Sequence, residues 1–404
     1  QPLVIAGRNY PDLDRSRQCI VHDYGQYLFE QPLPADSTIV GLLGEMTLLR
    51  YFQETAGLRP EIETIAADDE TRRLDEVASA LARGRDVSVT RSLPGLAERY
   101  PLSAATGLID VAGDREMLIR VGGPFKDRVA PRPVDRLLAP GLELRAYGLL
   151  EHGGHWQEWA RLRLWWRAPQ GLQGPFKVSA RLLDPEGRLV AATDAEPVGF
   201  AYPATAWRAG EVVVDAYEIS LPAGLPPGEY LPLVIVYDPA TGSEQGRVQL
   251  AAVYLDGSPV RPPQHALEAS VEQLTHARFG DVELLGFSAP NPEIDHPAGS
   301  ELSLTLLWQA QGQSTTDLRL ALWLEGERDV ALGEAAVGGR FPSSRWHKDQ
   351  VVRQSISLPL PGDLPAGEYQ LKMRLTREGQ PVPWGRGLIP WGSDLALGRV
   401  QIGP

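Results

Sequence analysis

The stretch LRLWWRA at residues 162–168 returns as LTLLWQA at residues 304–310, and this pair decides the fold. Each copy begins on a Leu-x-Leu alternation, which is typical of a strand with one buried face. Two further landmarks recur in the same order: FAYPATAW (200–207) as GRFPSSRW (339–346), and LPPGEY (225–230) as LPAGEY (364–369). Three ordered matches indicate that the chain contains two copies of one domain.

Both copies have the sequence pattern of a β-sandwich. From residue 142 onward, short alternating strands are separated by Gly, Pro and Asp turns, which is typical of that architecture. The copies are predicted at residues 141–257 and 279–404, and a proline-rich connector at 259–263 joins them.

Four aromatic residues are predicted to support these sandwiches. The LPxGEY element resembles the tyrosine corner of immunoglobulin-like sandwiches, in which a tyrosine at the start of a late strand hydrogen-bonds back across the corner. This resemblance implies a structural role for Tyr230 and Tyr369. Trp166 and Trp308 each follow a Leu-x-Leu run, and we expect their large rings in the two cores.

Residues 1–136 have a different pattern, in which helices alternate with strands. The uncharged stretch STIVGLL (37–43) predicts a strand buried on both faces, and Met46, Leu49 and Phe52 give the following helix its apolar stripe. The unit then repeats, and its short connections imply right-handed crossovers and a parallel sheet. We therefore predict a small three-layer, Rossmann-like α/β domain followed by two tandem immunoglobulin-like β-sandwiches, a multidomain chain of α/β plus all-β class.

The composition excludes several classes of protein. The chain has 404 residues and a formal net charge of −13, which argues against binding to nucleic acid or anionic lipid because both need a basic surface. Its one cysteine, Cys19, excludes an intrachain disulfide and any multi-cysteine metal site.

No apolar run in the sequence is long enough to span a membrane. Because the sequence begins with Gln1 and not with Met, we expect a piece of a longer or processed chain.

Motifs that carry chemistry are few. GLLGE (41–45) lies where a parallel sheet would hold a dinucleotide, but the spacing is not G-x-G-x-x-G, and close strand–helix packing explains the glycines better. His152 and His155 in EHGGH could reach one metal ion from a turn, although such histidines more often belong to a surface loop. No catalytic residue and no cofactor are predicted.

Tryptophan is the remaining indication of a ligand. The chain has ten Trp residues, and four lie in loop-like surroundings: Trp156, Trp159, Trp384 and Trp391. Exposed aromatic faces stack on sugar rings, so these four are candidate carbohydrate-binding residues. The alternative is that they cover the ends of the sandwiches.

The N-terminal third resembles a known family through several short motifs. NYPDLDRSR (9–17), VHDYGQYLF (21–29) and LPADSTIVGLLGEMTLLRYFQETAGLRPEIETI (33–65) are similar to the soluble segment that follows the membrane helices in bacterial proteins related to GT-C-class, protein O-mannosyltransferase-like glycosyltransferases. The matching positions are Asp14, Ser16, Asp23, Tyr24, Leu49, Tyr51, Gln53, Gly57, Arg59 and Pro60. Glu61 stands where the family usually has Asp.

This resemblance implies a function. The chain would be a non-catalytic, extracytoplasmic accessory region, tethered through an upstream membrane domain of the same chain and positioning a glycan or protein acceptor. The lipid-linked donor and the catalytic acid would belong to the membrane part. The alternative is a secreted or surface carbohydrate-binding protein with tandem β-sandwich modules. A nucleotide-using enzyme built on the α/β domain is the third possibility.

Overall fold

A computed structural model describes residues 20–31, 33–107, 109–111, 114–123, 131–148, 151–154, 156–313, 316–386 and 389–403. Strands make up 46% of the structure and helices 16%, so the protein is mostly β. A small mixed sheet with helices is followed by two β-sandwiches. The predicted Rossmann-like α/β domain with a parallel sheet is therefore wrong, and so is the α/β plus all-β class that depended on it.

The first region, residues 20–123, is built on a five-stranded sheet. Its helices are α1 (Ile20–Glu30), α2 (Leu43–Ala56), α3 (Glu70–Ala82) and α4 (Leu96–Arg99). Its strands are β1 (Ser37–Gly41), β2 (Glu63–Ala66), β3 (Asp86–Val89), β4 (Leu102–Ala104), β5 (Ile109–Val111), β6 (Asp114–Glu116) and β7 (Ile119–Val121). The sheet order is β2-β1-β3-β7-β4, and β5 pairs separately with β6.

This sheet is mixed because β7 runs antiparallel to both of its neighbours. β1 pairs in parallel with β2 and β3, whereas β7 pairs antiparallel with both β3 and β4. Since β7 lies between β3 and β4 and is antiparallel to both, β3 and β4 run in the same direction. Strand β7 comes after β4 in the chain and inserts between β3 and β4, which the local helix–strand alternation does not reveal.

The first sandwich contains ten strands in two five-stranded sheets. One sheet holds β8 (Arg132–Ala139), β9 (Leu142–Tyr147), β10 (Glu151–Gly153), β11 (Trp159–Arg167) and β14 (Val212–Ser220). The other holds β12 (Lys177–Leu183), β13 (Leu189–Ala195), β15 (Gly228–Tyr237), β16 (Glu244–Gln249) and β17 (Val253–Leu255). Their facing sides enclose Trp166, which is fully buried and packs edge-to-face on Phe176 with ring centroids 5.7 Å apart.

The second sandwich follows helix α5 (Gln264–Ser270). One of its sheets is formed by β18 (Gln273–Phe279), β19 (Val282–Ser288), β21 (Glu301–Ala310), β24 (Val351–Pro359), β27 (Trp384–Arg386) and β28 (Ile389–Gly392). The order of these strands in the sheet is β24-β21-β19-β18-β27-β28. The other has the order β20-β29-β25-β22-β23, from β20 (Asp295–Pro297), β22 (Arg319–Glu325), β23 (Val330–Ala336), β25 (Gly367–Arg377) and β29 (Asp394–Gly403), with β26 (Gln380–Pro381) beside β25.

The two sandwiches place equivalent strands in the same order. The run β14, β11, β9, β8 corresponds to β24, β21, β19, β18, and β13, β12, β15 corresponds to β23, β22, β25. Strands β8 and β18 pair into these sheets although they begin at Arg132 and Gln273, before residues 141 and 279, where the sequence places the start of each copy. Because β-sheet edges are defined by pairing and not by composition, the proline-rich stretch around β8 belongs to a strand at the sheet edge.

The sequence landmarks make the same hydrogen bonds in both sandwiches. The hydroxyls of Tyr230 and Tyr369 each donate to the carbonyl oxygen of the proline four residues earlier, at 2.8 and 3.1 Å. The Nε1–H groups of Trp207 and Trp346 each donate to the carbonyl oxygen five residues earlier, at 3.2 and 2.7 Å. These bonds satisfy buried polar groups and fasten a corner and a loop to each sandwich.

One equivalent pair of buried polar residues differs in chemistry. Gln354 of β24 accepts hydrogen bonds from Trp308 Nε1 (3.0 Å) and from the Gly338 backbone N–H (2.8 Å). Asp215 of β14 accepts one from the Val198 backbone N–H at 3.0 Å. Each side chain thus holds the loop that precedes its strand, through a neutral amide in the second sandwich and a carboxyl group in the first.

The first region and the first sandwich share one apolar core. A polar contact lies at the same boundary, where the Tyr27 hydroxyl and Arg161 Nε each donate to Glu218 Oε2 at 3.0 Å. Arg161 Nη1 also donates to Gln31 Oε1 at 2.9 Å. Burial raises the pKa of the Tyr27 hydroxyl well above its usual range, so this group stays a donor at all physiological pH values.

The two sandwiches meet at a junction built around α5. A small apolar cluster fills this junction: Ala223, Leu267, Val271, Leu285, Leu307 and Val351. The Arg353 backbone N–H donates to Gly224 O at 2.6 Å, and Arg353 Nη1 donates to Ser270 O at 2.6 Å. Gly224 has a positive φ of 77° and contacts the opposing strand closely, which favours glycine there.

Candidate functional site

Trp159 lies at the boundary between the first region and the first sandwich. Its ring packs edge-to-face on Tyr27, with centroids 6.2 Å apart, and the Arg161 guanidinium lies 4.9 Å from the ring centroid. The side chain is half-buried in this contact. Its ring therefore serves the packing of two parts of the chain and offers little free face to a ligand.

Trp156 lies beside the junction between the sandwiches. It packs against the apolar cluster of the junction and is half-buried. Together with His265 it lines an open pocket of about 380 Å³. This placement gives Trp156 a packing role, with part of its ring facing the pocket.

Trp384 and Trp391 lie on one hairpin, which we call the tryptophan hairpin and which comprises β27 and β28. Their ring centroids are 5.4 Å apart and the ring planes are inclined by 47°. Trp384 is 9% exposed and belongs to the core of the second sandwich, whereas Trp391 is 58% exposed. One ring thus anchors the hairpin and the other is presented at the surface.

The tryptophan hairpin is an addition to the common sandwich. In the first sandwich, residues 238–243 connect β15 to β16, whereas in the second, residues 378–393 make the equivalent connection from β25 to β29. The longer connection contains β26, β27 and β28, and β27 extends the sheet beyond β18. The common fold does not require this segment, because the first sandwich closes without it.

Charged and aromatic side chains continue the surface next to the hairpin. Trp384 Nε1 donates to Asp394 O at 3.0 Å, and the Asp394 carboxylate accepts two hydrogen bonds from Arg374, at 2.5 and 2.8 Å. The Arg374 guanidinium lies 5.3 Å from the centroid of Trp323. We call these four residues, together with Trp391, the Trp391 surface.

The ion pair in this surface is fixed in its charged state. The hydrogen bonds from Arg374 hold the pKa of Asp394 below its usual range, and the same bonds raise the pKa of Arg374. A second pair, Lys372 Nζ with Glu325 Oε1 at 2.5 Å, lies on neighbouring strands. Charged groups that are already ordered beside an aromatic ring can bind the hydroxyl groups of a ligand with a smaller loss of side-chain entropy.

Sequence reasoning missed Trp323, Arg374 and Asp394. In β22 and β25 the burial alternates, and Trp323 and Arg374 occupy positions on the outer faces of these strands. Arg374 is the register partner of Asp394. Period-two alternation could have placed each residue on a face, but only the strand pairing brings the three together.

The stretch GLLGE packs a strand on a helix. Glu45 Oε2 accepts hydrogen bonds from the Leu42 backbone N–H (3.0 Å) and from Thr90 Oγ1 (2.5 Å), so its carboxylate turns inward. A Cβ atom on Gly41 would lie 2.4 Å from Thr90 Oγ1. The glycine is therefore explained by this close approach, in line with the packing alternative for the motif.

The candidate metal ligands are not assembled in the part of the chain that the structure describes. His152 Nδ1 lies 3.3 Å from Gln157 Nε2, while His155 and Cys19 lie outside the described residues. Within the described ranges, no group of three or more His, Cys, Asp and Glu side chains could hold a metal ion. The helices described there are also too short or too polar to cross a membrane.

Comparisons with known proteins found structural matches alone. No family model matches the chain, and no curated protein matches it. A Niemann-Pick type C2 protein from Japanese carpenter ant matches 32% of this chain and 96% of its own at 10% identity and a TM-score of 0.21. A putative beta-galactosidase from Bacteroides fragilis matches 60% of this chain at 13% identity and a TM-score of 0.17. A glycosyl hydrolase family 2 member from Bacteroides cellulosilyticus matches 63% at 10% identity and a TM-score of 0.19. The chain spans only 34% and 32% of the lengths of these last two proteins.

Proposed function

We propose that this chain is a carbohydrate-binding β-sandwich protein and that the Trp391 surface holds the sugar. The observation that carries the proposal is the position of Trp391, 58% exposed on a hairpin that the second sandwich adds to the shared fold. A large exposed ring on an added segment favours a ligand, because it does not serve the common core.

The chemistry of the Trp391 surface suits a sugar. A pyranose ring presents C–H groups on its faces, which pack on an aromatic ring, and hydroxyl groups at its rim, which need hydrogen-bond partners. Arg374 and Asp394 supply a donor and an acceptor beside the rings. Apolar contact with a few fixed polar groups is the usual composition of a small-molecule site.

The resemblance to membrane glycosyltransferase-like proteins supports a more specific version of the proposal. In that version the sugar is part of an acceptor glycan, and the chain acts outside the cytoplasm, attached to a membrane domain. This version stays a prediction, and its test is the sequence upstream of Gln1 in the gene. Hydrophobic helices there would support it, and a secretion signal alone would favour the free carbohydrate-binding protein.

Trp391→Ala is expected to weaken binding of a neutral oligosaccharide by about 30-fold, because a central tryptophan contributes roughly 2 kcal/mol or more to a binding site. Binding is measured by isothermal titration calorimetry on hits from a glycan array. Tyr254→Ala is the matched control, since Tyr254 is 59% exposed on the first sandwich, away from the hairpin. Equal affinity of the wild type and Trp391→Ala, or an array without hits, would rule the proposal out.

A further inference from the structure

A cleft of about 630 Å³ lies between the two sandwiches. One wall is the outer face of β21 and β24, and the other comes from the β12–β13 turn and the tyrosine corner of the first sandwich. The loop at 338–340 closes one side. Its volume falls in the range of roughly 300–1,000 Å³ that is usual for small-molecule sites.

The wall from the second sandwich carries two rows of hydroxyl groups. Ser303 pairs with Ser357 across the strands, and Thr305 pairs with Ser355. The next pair along the strands brings Arg353 to the same face. Because residues two apart on a strand face the same side, these side chains form a polar strip with a cation at one end.

Two arginines that line the cleft lack carboxylate partners among the described residues. Arg353 donates to a carbonyl oxygen, Ser270 O, and burial lowers the pKa of its guanidinium because no nearby anion compensates. Arg340 donates to Glu229 O at 3.2 Å and lies 4.5 Å from the ring centroid of Tyr230. Arg353 is half-buried and Arg340 is exposed, and guanidinium groups without an anion are suited to receive one from a ligand.

The carboxylates that line the cleft do not compete for these cations. Asp184 and Glu186 both pair with Arg188, at 2.7 and 3.2 Å. Glu301 lies at the opposite end of β21, past both pairs of hydroxyl residues. Along the β21–β24 wall, the cleft therefore runs from Arg353 past the hydroxyl groups to Glu301.

We propose that this cleft binds an acidic saccharide, with a sugar carboxylate on Arg353 and Arg340 and the neighbouring rings along the serine and threonine strip. The inference rests on the proposed carbohydrate-binding function and adds a second site of different specificity. Uronic acids are a class of sugar that combines one carboxylate with several hydroxyl groups. The planar fork of arginine binds a carboxylate through two parallel hydrogen bonds.

The test compares a galacturonic acid tetramer with cellotetraose, a neutral tetramer, by calorimetry on the full chain. The protein carries Trp391→Ala so that the first site does not contribute. We expect the acidic tetramer alone to bind, more weakly at high salt because an ion pair is screened. Arg353→Gln is expected to reduce its affinity by about tenfold to a hundredfold, the effect of losing a charged hydrogen bond.

Two further variants separate binding from folding. Thr305→Val removes one hydroxyl group from the strip with little change in shape and is expected to weaken binding without lowering the melting temperature. Arg247→Gln is the matched control, because Arg247 is an exposed arginine of β16 paired with Glu244 outside the cleft. Unchanged affinity in both Arg353→Gln and Thr305→Val, equal binding of the two tetramers, or no binding of either would overturn the inference.

The outcomes also distinguish this inference from the proposed function. If cellotetraose or another neutral glycan binds the wild type in a Trp391-dependent way and the acidic tetramer does not bind, only the cleft proposal fails. If the acidic tetramer binds in an Arg353-dependent way and no neutral glycan binds, the Trp391 surface is not a sugar site and the cleft proposal stands.

Discussion

Trp308→Ala is expected to lower the free energy of unfolding by about 3–5 kcal/mol, the usual effect of truncating a fully buried aromatic side chain. Trp308 has no exposed surface and packs on Phe279 with ring centroids 6.5 Å apart. Its removal leaves a cavity between the two sheets of the second sandwich. The substitution also removes the Nε1–H group that donates a hydrogen bond to Gln354 Oε1.

Urea denaturation of the full chain, followed by far-ultraviolet circular dichroism, measures this loss. Trp323→Ala is the matched control, because Trp323 lies half-buried on the outer face of β22 and its truncation opens no internal cavity. We expect the control to lose much less stability than Trp308→Ala. A loss below about 1 kcal/mol for Trp308→Ala would contradict the central position of this ring.

Asp215 is expected to make the stability of the protein fall as the pH rises from about 4 to about 7. Burial raises the pKa of its carboxyl group from 3.8 to about 7, although hydrogen bonds from Tyr217 and two backbone N–H groups oppose the shift. In this pH window the unfolded chain releases the proton and the folded chain retains it. Since the folded state then binds more protons, the free energy of unfolding decreases with pH, by about 4 kcal/mol at about 1.4 kcal/mol for each pKa unit.

Asp215→Asn isolates this contribution. An amide cannot ionise, so the variant lacks the decrease, and its stability relative to the wild type should rise by up to about 4 kcal/mol between pH 4 and pH 8. The difference between the two proteins is measured by urea denaturation at several pH values, which cancels the titration of other groups. If the difference in free energy of unfolding between the two proteins does not change with pH, Asp215 is ionised in the folded protein over this whole pH range. Gln354→Glu is the matched test, since it places a carboxyl group at the equivalent position of the second sandwich and should introduce a similar decrease.

Sequence patterns captured local structure better than the pairing of distant strands. The uncharged run at 37–43 predicted the buried strand β1, and Gly57, at a φ of 64°, ends helix α2 as its position after the apolar stripe indicates. The insertion of β7 between β3 and β4 was not predictable, because it depends on pairing between strands that are distant along the chain. The Rossmann-like expectation failed at this step.

The candidate site was likewise predictable only as far as local sequence determines it. Composition and loop-like surroundings selected four tryptophans, but surroundings in the sequence do not separate a ring that packs between domains, such as Trp159, from one at the surface, such as Trp391. Trp384 and Trp391 are only seven positions apart and differ sixfold in exposure, at 9% and 58%. Each ring's environment is set by strand pairing with distant segments, including the bond from Trp384 to Asp394.

The tryptophan hairpin also bears on aggregation. Strand β18 would be the outermost strand of its sheet without β27, and an open edge strand is a template for pairing with another chain. The equivalent strand β8 of the first sandwich remains at the edge and is protected differently, by Pro133, which has no N–H to donate, and by the charges of Arg132, Asp135 and Arg136. The two copies thus limit intermolecular strand addition by different means, since the segment that presents Trp391 replaces β18 at the sheet edge with β28, which has only four residues and includes Pro390.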